Sequence, residues 1–172
     1  VHRDIKPGNI HVCERGGDYD FIKVLDFGLV KDTSARDDDS ALTQESSYGT
    51  PGFVAPEAIR DATQATAVSD IYSVGTVAYA LLTAQTIFVE INRVKMLLRQ
   101  LDEDPQTPSQ RLRRAIAPDL EGVVMRCLAR DPAARPQSMD ELIAALDGCE
   151  HAGGWSELDA RGWWQAHPEL LD

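Results

Sequence analysis

The sequence predicts an α+β domain, mostly helical, in which a short β-hairpin feeds a helical body. Two β-rich runs, Ile10–Cys13 and Phe21–Leu25, flank the turn-forming pair Gly16-Gly17 near the start of the chain. From residue 69 onward, apolar residues recur at helical rather than alternating spacing. A length of 172 residues, 43% hydrophobic and 26% charged, is enough for one folded domain with a core and is not a disordered composition.

Taken in order, the hairpin is followed by a polar stretch from Val30 to Tyr48, crowded with Asp, Ser and Thr. A loop this long inside a compact domain is usually a lid or a regulated segment, and Asp37-Asp38-Asp39 reads as its solvated face. Ser69 is the expected N-cap of a helix from Asp70 to Thr83, apolar on nearly every side and therefore central and buried. A second helix is expected over Ile91–Leu101, followed by a Pro-containing link, Asp104–Pro108. Leu120, Val123, Val124, Cys127 and Leu128 recur at helical spacing behind Pro118-Asp119. Met139, Leu142, Ile143 and Leu146 do the same behind Ser138, which forms a capping box with Glu141, and Gly148 closes that helix. The tail from Trp155 to Asp172 holds all three Trp and predicts one more short helix. Its tryptophans are expected to anchor it to the helical body, although Trp163 and Trp164 are adjacent and cannot both point inward. No internal repeat is present.

Charge and cysteines exclude several function classes. With 28 Asp and Glu against 17 Lys and Arg, the net charge is −11. That balance opposes a nucleic-acid surface, which displaces counterions with a basic face, and opposes docking on anionic lipid. The longest apolar stretch, Val74–Leu82, is far short of the roughly 20 residues of a membrane span. Cys13, Cys127 and Cys149 are widely spaced without a CxxC pair, which suits three unpaired thiols in a reduced compartment. With no signal-peptide pattern, the expected location is cytoplasmic, and membrane anchoring of a longer parent stays open.

The front of the chain carries the chemistry. His2-Arg3-Asp4-Ile5-Lys6-Pro7-Gly8-Asn9 places a carboxylate, an ammonium and a carboxamide within a few residues, and Asp26-Phe27-Gly28 follows directly behind a β run. Phosphoryl transfer asks a protein for metal ligands, a group to accept the proton of the attacking hydroxyl, and a cation near the developing charge. Asn9 and Asp26 are oxygen ligands suited to Mg²⁺, Asp4 can accept the proton, and Lys6 can sit against the moving phosphate.

These residues resemble the protein kinases. The catalytic-loop pattern His-Arg-Asp-x-x-x-x-Asn is complete in His2–Asn9, Asp-Phe-Gly is complete in Asp26–Gly28, and the Ala-Pro-Glu that closes the activation segment is Ala55-Pro56-Glu57. Lys6 with Gly49-Thr50-Pro51 resembles the Ser/Thr branch, and the wording around Gly49–Glu57 and Ala129–Gln137 is closest to the eukaryotic-like kinases of bacteria. The resemblance implies ATP and Mg²⁺ as cofactors and a protein as substrate. It implies that Thr50 bridges Asp4 and Lys6, that Asp70 holds the catalytic-loop backbone, and that Arg135 pairs with Glu57. His2, Phe27 and Gly28 would be structural, His2 packing against Phe27 and Phe27 positioning Asp26. Arg3 would await a phosphate on the activation segment, with Thr43 the first candidate and Ser46 and Ser47 behind it. His11 departs from the family, standing where a larger apolar residue helps floor the adenine site, and reads as a tolerated pocket-floor residue. Arg111, Arg113 and Arg114 either offset nearby acids or dock a partner.

The family's smaller lobe, with its Gly-rich loop, strand lysine and helix glutamate, has no counterpart here, because Val1 already lies at the catalytic loop. The resemblance therefore implies a C-terminal, large lobe over 1–147, with 26–57 as activation segment, the N-terminal lobe missing, and a Trp-rich tail over 148–172. The parent protein would transfer the ATP γ-phosphoryl group to Ser or Thr hydroxyls. The isolated chain, binding ATP only through the missing lobe, would be nearly inert. The alternative is a non-catalytic kinase-like lobe that binds proteins through its helical surface. The four intact residues Asp4, Lys6, Asn9 and Asp26 argue against it, since a scaffold has no physical need for them.

Overall fold

Residues 1–26 and 50–170 are described by the computed structural model. A 3₁₀ turn, Pro7–Asn9, leads into strands β1 (Ile10–Arg15) and β2 (Asp18–Val24). Helices follow as α1 (Pro56–Arg60), α2 (Ala67–Thr83), α3 (Arg93–Asp102), α4 (Pro108–Leu112), α5 (Pro118–Cys127), α6 (Met139–Asp147) and α7 (Glu157–Ala166), with short 3₁₀ turns after α1, α5 and α7. The expected class, mostly helical with one small antiparallel sheet, is the one observed.

The two strands pair with Ile10 opposite Val24, Val12 opposite Ile22 and Arg15 opposite Asp18, with an irregularity between Cys13 and Arg15. Gly16 and Gly17 close the turn at φ of 62° and 99°, backbone that side chains with a Cβ resist.

Helix α2 is the centre of the packing. Its Tyr72 and Tyr79 join Ala55, Ile87, Phe88, Met96, Val124 and Leu128 in one apolar cluster, and its Ile71 meets Val123, Cys127 and Leu142 in another. A helix lined by apolar contacts on two sides must be buried, and Ile71, Tyr72 and Tyr79 are. Its start lies earlier than the sequence suggested. Thr66 is the N-cap, and Ser69 is the third helical residue, whose hydroxyl accepts the Thr66 N–H at 3.0 Å.

Other boundaries also differ. Helix α3 begins after Asn92, whose Oδ1 accepts the Lys95 N–H at 3.0 Å, and Ile91 is fully exposed ahead of it. The Pro-containing link leads into α4, started by Thr107 with Gln110 reaching back to the Thr107 N–H at 3.0 Å. Before α6, Ser138 accepts the Glu141 N–H at 3.1 Å, but the Glu141 carboxylate takes the N–H of Gln137 instead of closing the expected box on Ser138. Arg111 is a packing residue: its guanidinium donates to the Tyr79 hydroxyl and to the Ile87 carbonyl.

The tail forms the helix the sequence predicts, but not on the expected surface. Trp155 and Trp164 bond Asp20 of β2, so these tryptophans anchor the tail to the hairpin. An indole N–H taken from water needs an acceptor, and a strand carboxylate supplies one where an apolar helix face does not. Trp164 is buried and Trp163 is not, as adjacent positions on one helix require. All three cysteines are free thiols. Among the described residues, no helix is long and apolar enough to cross a membrane.

Helices α2 and α5 pass close together at Gly75, where an added Cβ would lie 2.6 Å from Cys127 Cβ and 3.3 Å from Leu128 Cδ2. Alanine would raise helix propensity by up to about 1 kcal/mol, yet it has no room. Gly75→Ala is expected to destabilise the fold by about 1–3 kcal/mol in chemical denaturation; an unchanged or raised midpoint would show that the two helices can separate at little cost.

Candidate active site

The loop before β1 is held from beneath by α2. The buried Asp70 carboxylate accepts the His2 N–H at 2.6 Å and the Arg3 N–H at 2.8 Å. Between these fixed points Arg3 adopts φ 70°, left-handed backbone that a non-glycine residue keeps only when its surroundings impose it. The buried His2 ring then joins the loop to the end of the hairpin. Its Nε2 lies 3.1 Å from the Leu25 carbonyl and its Nδ1 accepts the Asp4 N–H at 3.3 Å, which fits the tautomer protonated on Nε2. Leu25 closes the circuit by donating its N–H to the Asn9 carbonyl at 2.8 Å.

On this frame four side chains meet. The Lys6 ammonium lies 2.8 Å from Asp4 Oδ2 and donates to Thr50 Oγ1 at 3.0 Å. The buried Asn9 donates from Nδ2 to the Asp4 carbonyl at 2.8 Å and to Asp4 Oδ2 at 2.9 Å. Thr50 therefore reaches Asp4 through the lysine: Lys6, with three donors to distribute, is the bridge that the sequence reading assigned to the threonine. Asp4 and Lys6 each keep roughly a third of their side-chain surface open to solvent.

The other expected site residues are placed as follows. Asp26 is exposed, at φ 54°, just past the end of β2, and the described contacts do not join it to Asn9. His11 is exposed on β1 opposite Lys23, and the Arg3 side chain is exposed. Phe27, Gly28, Thr43, Ser46 and Ser47 lie outside the described residues, as does the packing of His2 on Phe27. Among the described residues, no cluster of three or more His, Cys, Asp or Glu side chains is arranged for a metal. The Asn9 carboxamide and the Asp26 carboxylate are oxygen ligands of the kind Mg²⁺ takes together with phosphate and water.

The segment from Thr50 to Glu57 is fastened at several points. Gln100, wholly buried on α3, accepts the Gly52 N–H at 2.8 Å and donates to the Val54 carbonyl at 3.0 Å. The Ser73 hydroxyl donates to the Phe53 carbonyl at 2.7 Å. Sequence reasoning missed Gln100; its one signal is a polar amide four residues after Met96 on the buried stripe of α3. At the end of the segment Glu57 and Arg135 form a two-pronged pair with both N···O distances at 2.8 Å. Ser69 adds a bond to the same carboxylate at 2.7 Å, and the remaining Arg135 donors take the carbonyls of Val68, Ala129 and Arg130. The guanidinium also lies 4.9 Å over the Tyr72 ring. Burial pushes the Tyr72 hydroxyl up to about 12, so it stays protonated beside the ion pair.

Residues 1–145 match the family model described as the protein kinase domain. The chain is similar to the serine/threonine-protein kinase pkn3 of Myxococcus xanthus, 39% identical over 152 residues, which are 87% of this chain and 28% of that protein. It is similar to the probable serine/threonine-protein kinase SCO3848 of Streptomyces coelicolor, 35% identical over 150 residues, 87% of this chain and 21% of that one. It is also 35% identical to the serine/threonine-protein kinase PknB of Mycolicibacterium smegmatis over 147 residues, 85% of this chain and 22% of that one. The chain thus spans between about a fifth and about a quarter of the length of these relatives.

The Glu57–Arg135 pair makes the fold acid-sensitive. Burial alone would raise the Glu57 carboxyl, but the bonds from Arg135 and Ser69 outweigh it and hold the group below its ordinary value of 4.5. A carboxyl lowered by folding contributes stability above its unfolded value and loses that contribution as pH falls through the folded one. Glu57→Gln is therefore expected to flatten the fall in melting temperature between about pH 5 and pH 3. Arg135→Ala, which strands a mostly buried carboxylate, is expected to cost about 3 kcal/mol near neutral pH. An Arg135→Ala protein as stable as the parent in thermal melts would remove the pair from the account of the fold.

Proposed function

The chain belongs to the protein kinase domain family, and we propose that residues 1–147 form the catalytic, C-terminal lobe of a protein serine/threonine kinase, with 26–57 as its activation segment and 148–172 as a separate tail. The observation that carries this reading is the chain of contacts Thr50–Lys6–Asp4–Asn9 on a loop bolted to α2 by Asp70. The names of the similar proteins support Ser and Thr as acceptors.

In this reading Asp4 receives the proton of the substrate hydroxyl as that oxygen attacks the γ-phosphorus of ATP and the bond from that phosphorus to the bridging oxygen breaks, releasing ADP. Lys6, already beside Asp4 and Thr50, offers its ammonium to the charge that develops on the transferred group. Asn9 is well suited to hold Mg²⁺: its amide nitrogen is committed twice to Asp4, which turns its carboxamide oxygen to a fixed heading. Asp26 would supply the charged oxygen ligand. When bound, Mg²⁺ neutralises the phosphates of the nucleotide. His11 would lie in the floor of the nucleotide site. Arg3, held with its side chain in solvent, would receive a phosphate on the activation segment, Thr43 being the first candidate and Ser47 another. Because the chain spans no more than 28% of the similar kinases, phosphotransfer is assigned to the longer polypeptide that contains it.

In that polypeptide, Asp4→Asn is expected to lower transfer of labelled γ-phosphate to Ser- and Thr-containing peptides by about a thousandfold, with the Michaelis constant for ATP little changed. Asp26→Asn should instead raise the Mg²⁺ concentration needed for half-maximal rate. Full activity in the Asp4→Asn protein, or no transfer by the unmodified one, would overturn the assignment.

A further inference from the structure

Two tail indoles converge on one carboxylate of the hairpin. The Trp155 N–H donates to Asp20 Oδ2 at 2.7 Å and the Trp164 N–H to Asp20 Oδ1 at 2.6 Å, so each carboxylate oxygen has its own indole. Asp20 lies inside β2 at φ 57°, where a short polar side chain is tolerated better than most. Around this contact the Arg161 guanidinium sits 5.7 Å from the Tyr19 ring, and Trp164 meets Trp163 edge to face at 5.2 Å. Helix α7 packs on β2, and Trp164 is 6% exposed.

The same strand ends at the site. Val24 is followed by Leu25, whose N–H bonds the Asn9 carbonyl and whose carbonyl faces the His2 ring, and then by Asp26. Whatever fixes the course of β2 therefore fixes the residues that bear on Asn9 and Asp26. We propose that the tail is a clasp on the hairpin, with Asp20 and Trp164 as positioning residues that act through β2 on Asn9 and Asp26. The proposal rests on reading these two as site residues, but its physical content is a coupling between clasp and loop that can be measured without catalysis.

All three tryptophans lie in the tail, so emission excited at the red edge, where indole absorbs and tyrosine does not, reports on the surroundings of the tail. Asp20→Asn keeps the tolerance for left-handed backbone but leaves one carbonyl oxygen and an NH₂ facing two N–H donors. It is expected to shift the emission to the red and to speed amide exchange at Leu25 and Asn9 by about tenfold, the amides of α2 and α5 keeping their protection. A red shift with unchanged exchange at Leu25 and Asn9 would overturn the coupling, and unchanged emission would overturn the clasp. If Asp20→Asn loosens α2 and α5 as well, Trp164→Phe, which keeps an aromatic ring but removes the donor and part of the ring volume, decides by the same exchange criterion. Failure of phosphotransfer in the full-length protein would count against the kinase reading and leave these outcomes standing.

Discussion

The arrangement of this chain depends on one buried carboxylate. Asp70 sits in the first turn of α2, where the helix dipole favours negative charge, and it spends both oxygens on the backbone of His2 and Arg3. Charge-assisted bonds of this kind are short and directional, so they fix a heading as well as a distance. The core of the protein is thereby connected to the loop that carries Asp4, Lys6 and Asn9. From that anchor the His2 ring reaches Leu25, Leu25 reaches Asn9, and Asn9 reaches Asp4. The order runs from a packed helix outward to the half-buried Asp4 side chain.

A second frame serves the segment that follows the described hairpin. Gln100, Ser73 and the Glu57–Arg135 pair come from separate elements, and each bonds the chain between Gly52 and Glu57. They hold that stretch to α2, α3 and the turn after α5, while Thr50 at its start touches Lys6. The two frames share α2, which carries Asp70 for the loop and Ser69 and Ser73 for the segment. A displacement of α2 would be felt on both sides of the site at once.

Much of this was legible in the sequence because the chemistry is local. The spacing of Asp4, Lys6 and Asn9 in one loop, and the helical periodicities around Val123 and Leu142, are short-range patterns that a linear reading detects. Helices α1 and α4 escaped it because each is a five-residue piece opened by proline, too short to show a period. The shift of the α2 cap from Ser69 to Thr66 reflects two hydroxyl residues three apart, either of which could start the helix. Gln100 and Asp20 were illegible for a different reason. A glutamine on a helix and an aspartate in a strand read as solvated until a partner is known, and the partners of Asp20 lie 135 and 144 residues away. The tail was accordingly assigned to the larger apolar surface, when the decisive need was an acceptor for two indoles.

The close passage of α2 over α5 also shields one thiol. Cys127 lies directly under Gly75, and burial pushes its thiol up to about 11. Only about one molecule in ten thousand would carry the reactive thiolate there at neutral pH. Oxidants and alkylating reagents that attack thiolates would therefore pass over Cys127 in the folded chain and find it only when α2 and α5 part. In a cell under oxidative stress, damage at that sulfur would be a record of unfolding already suffered, and not its cause.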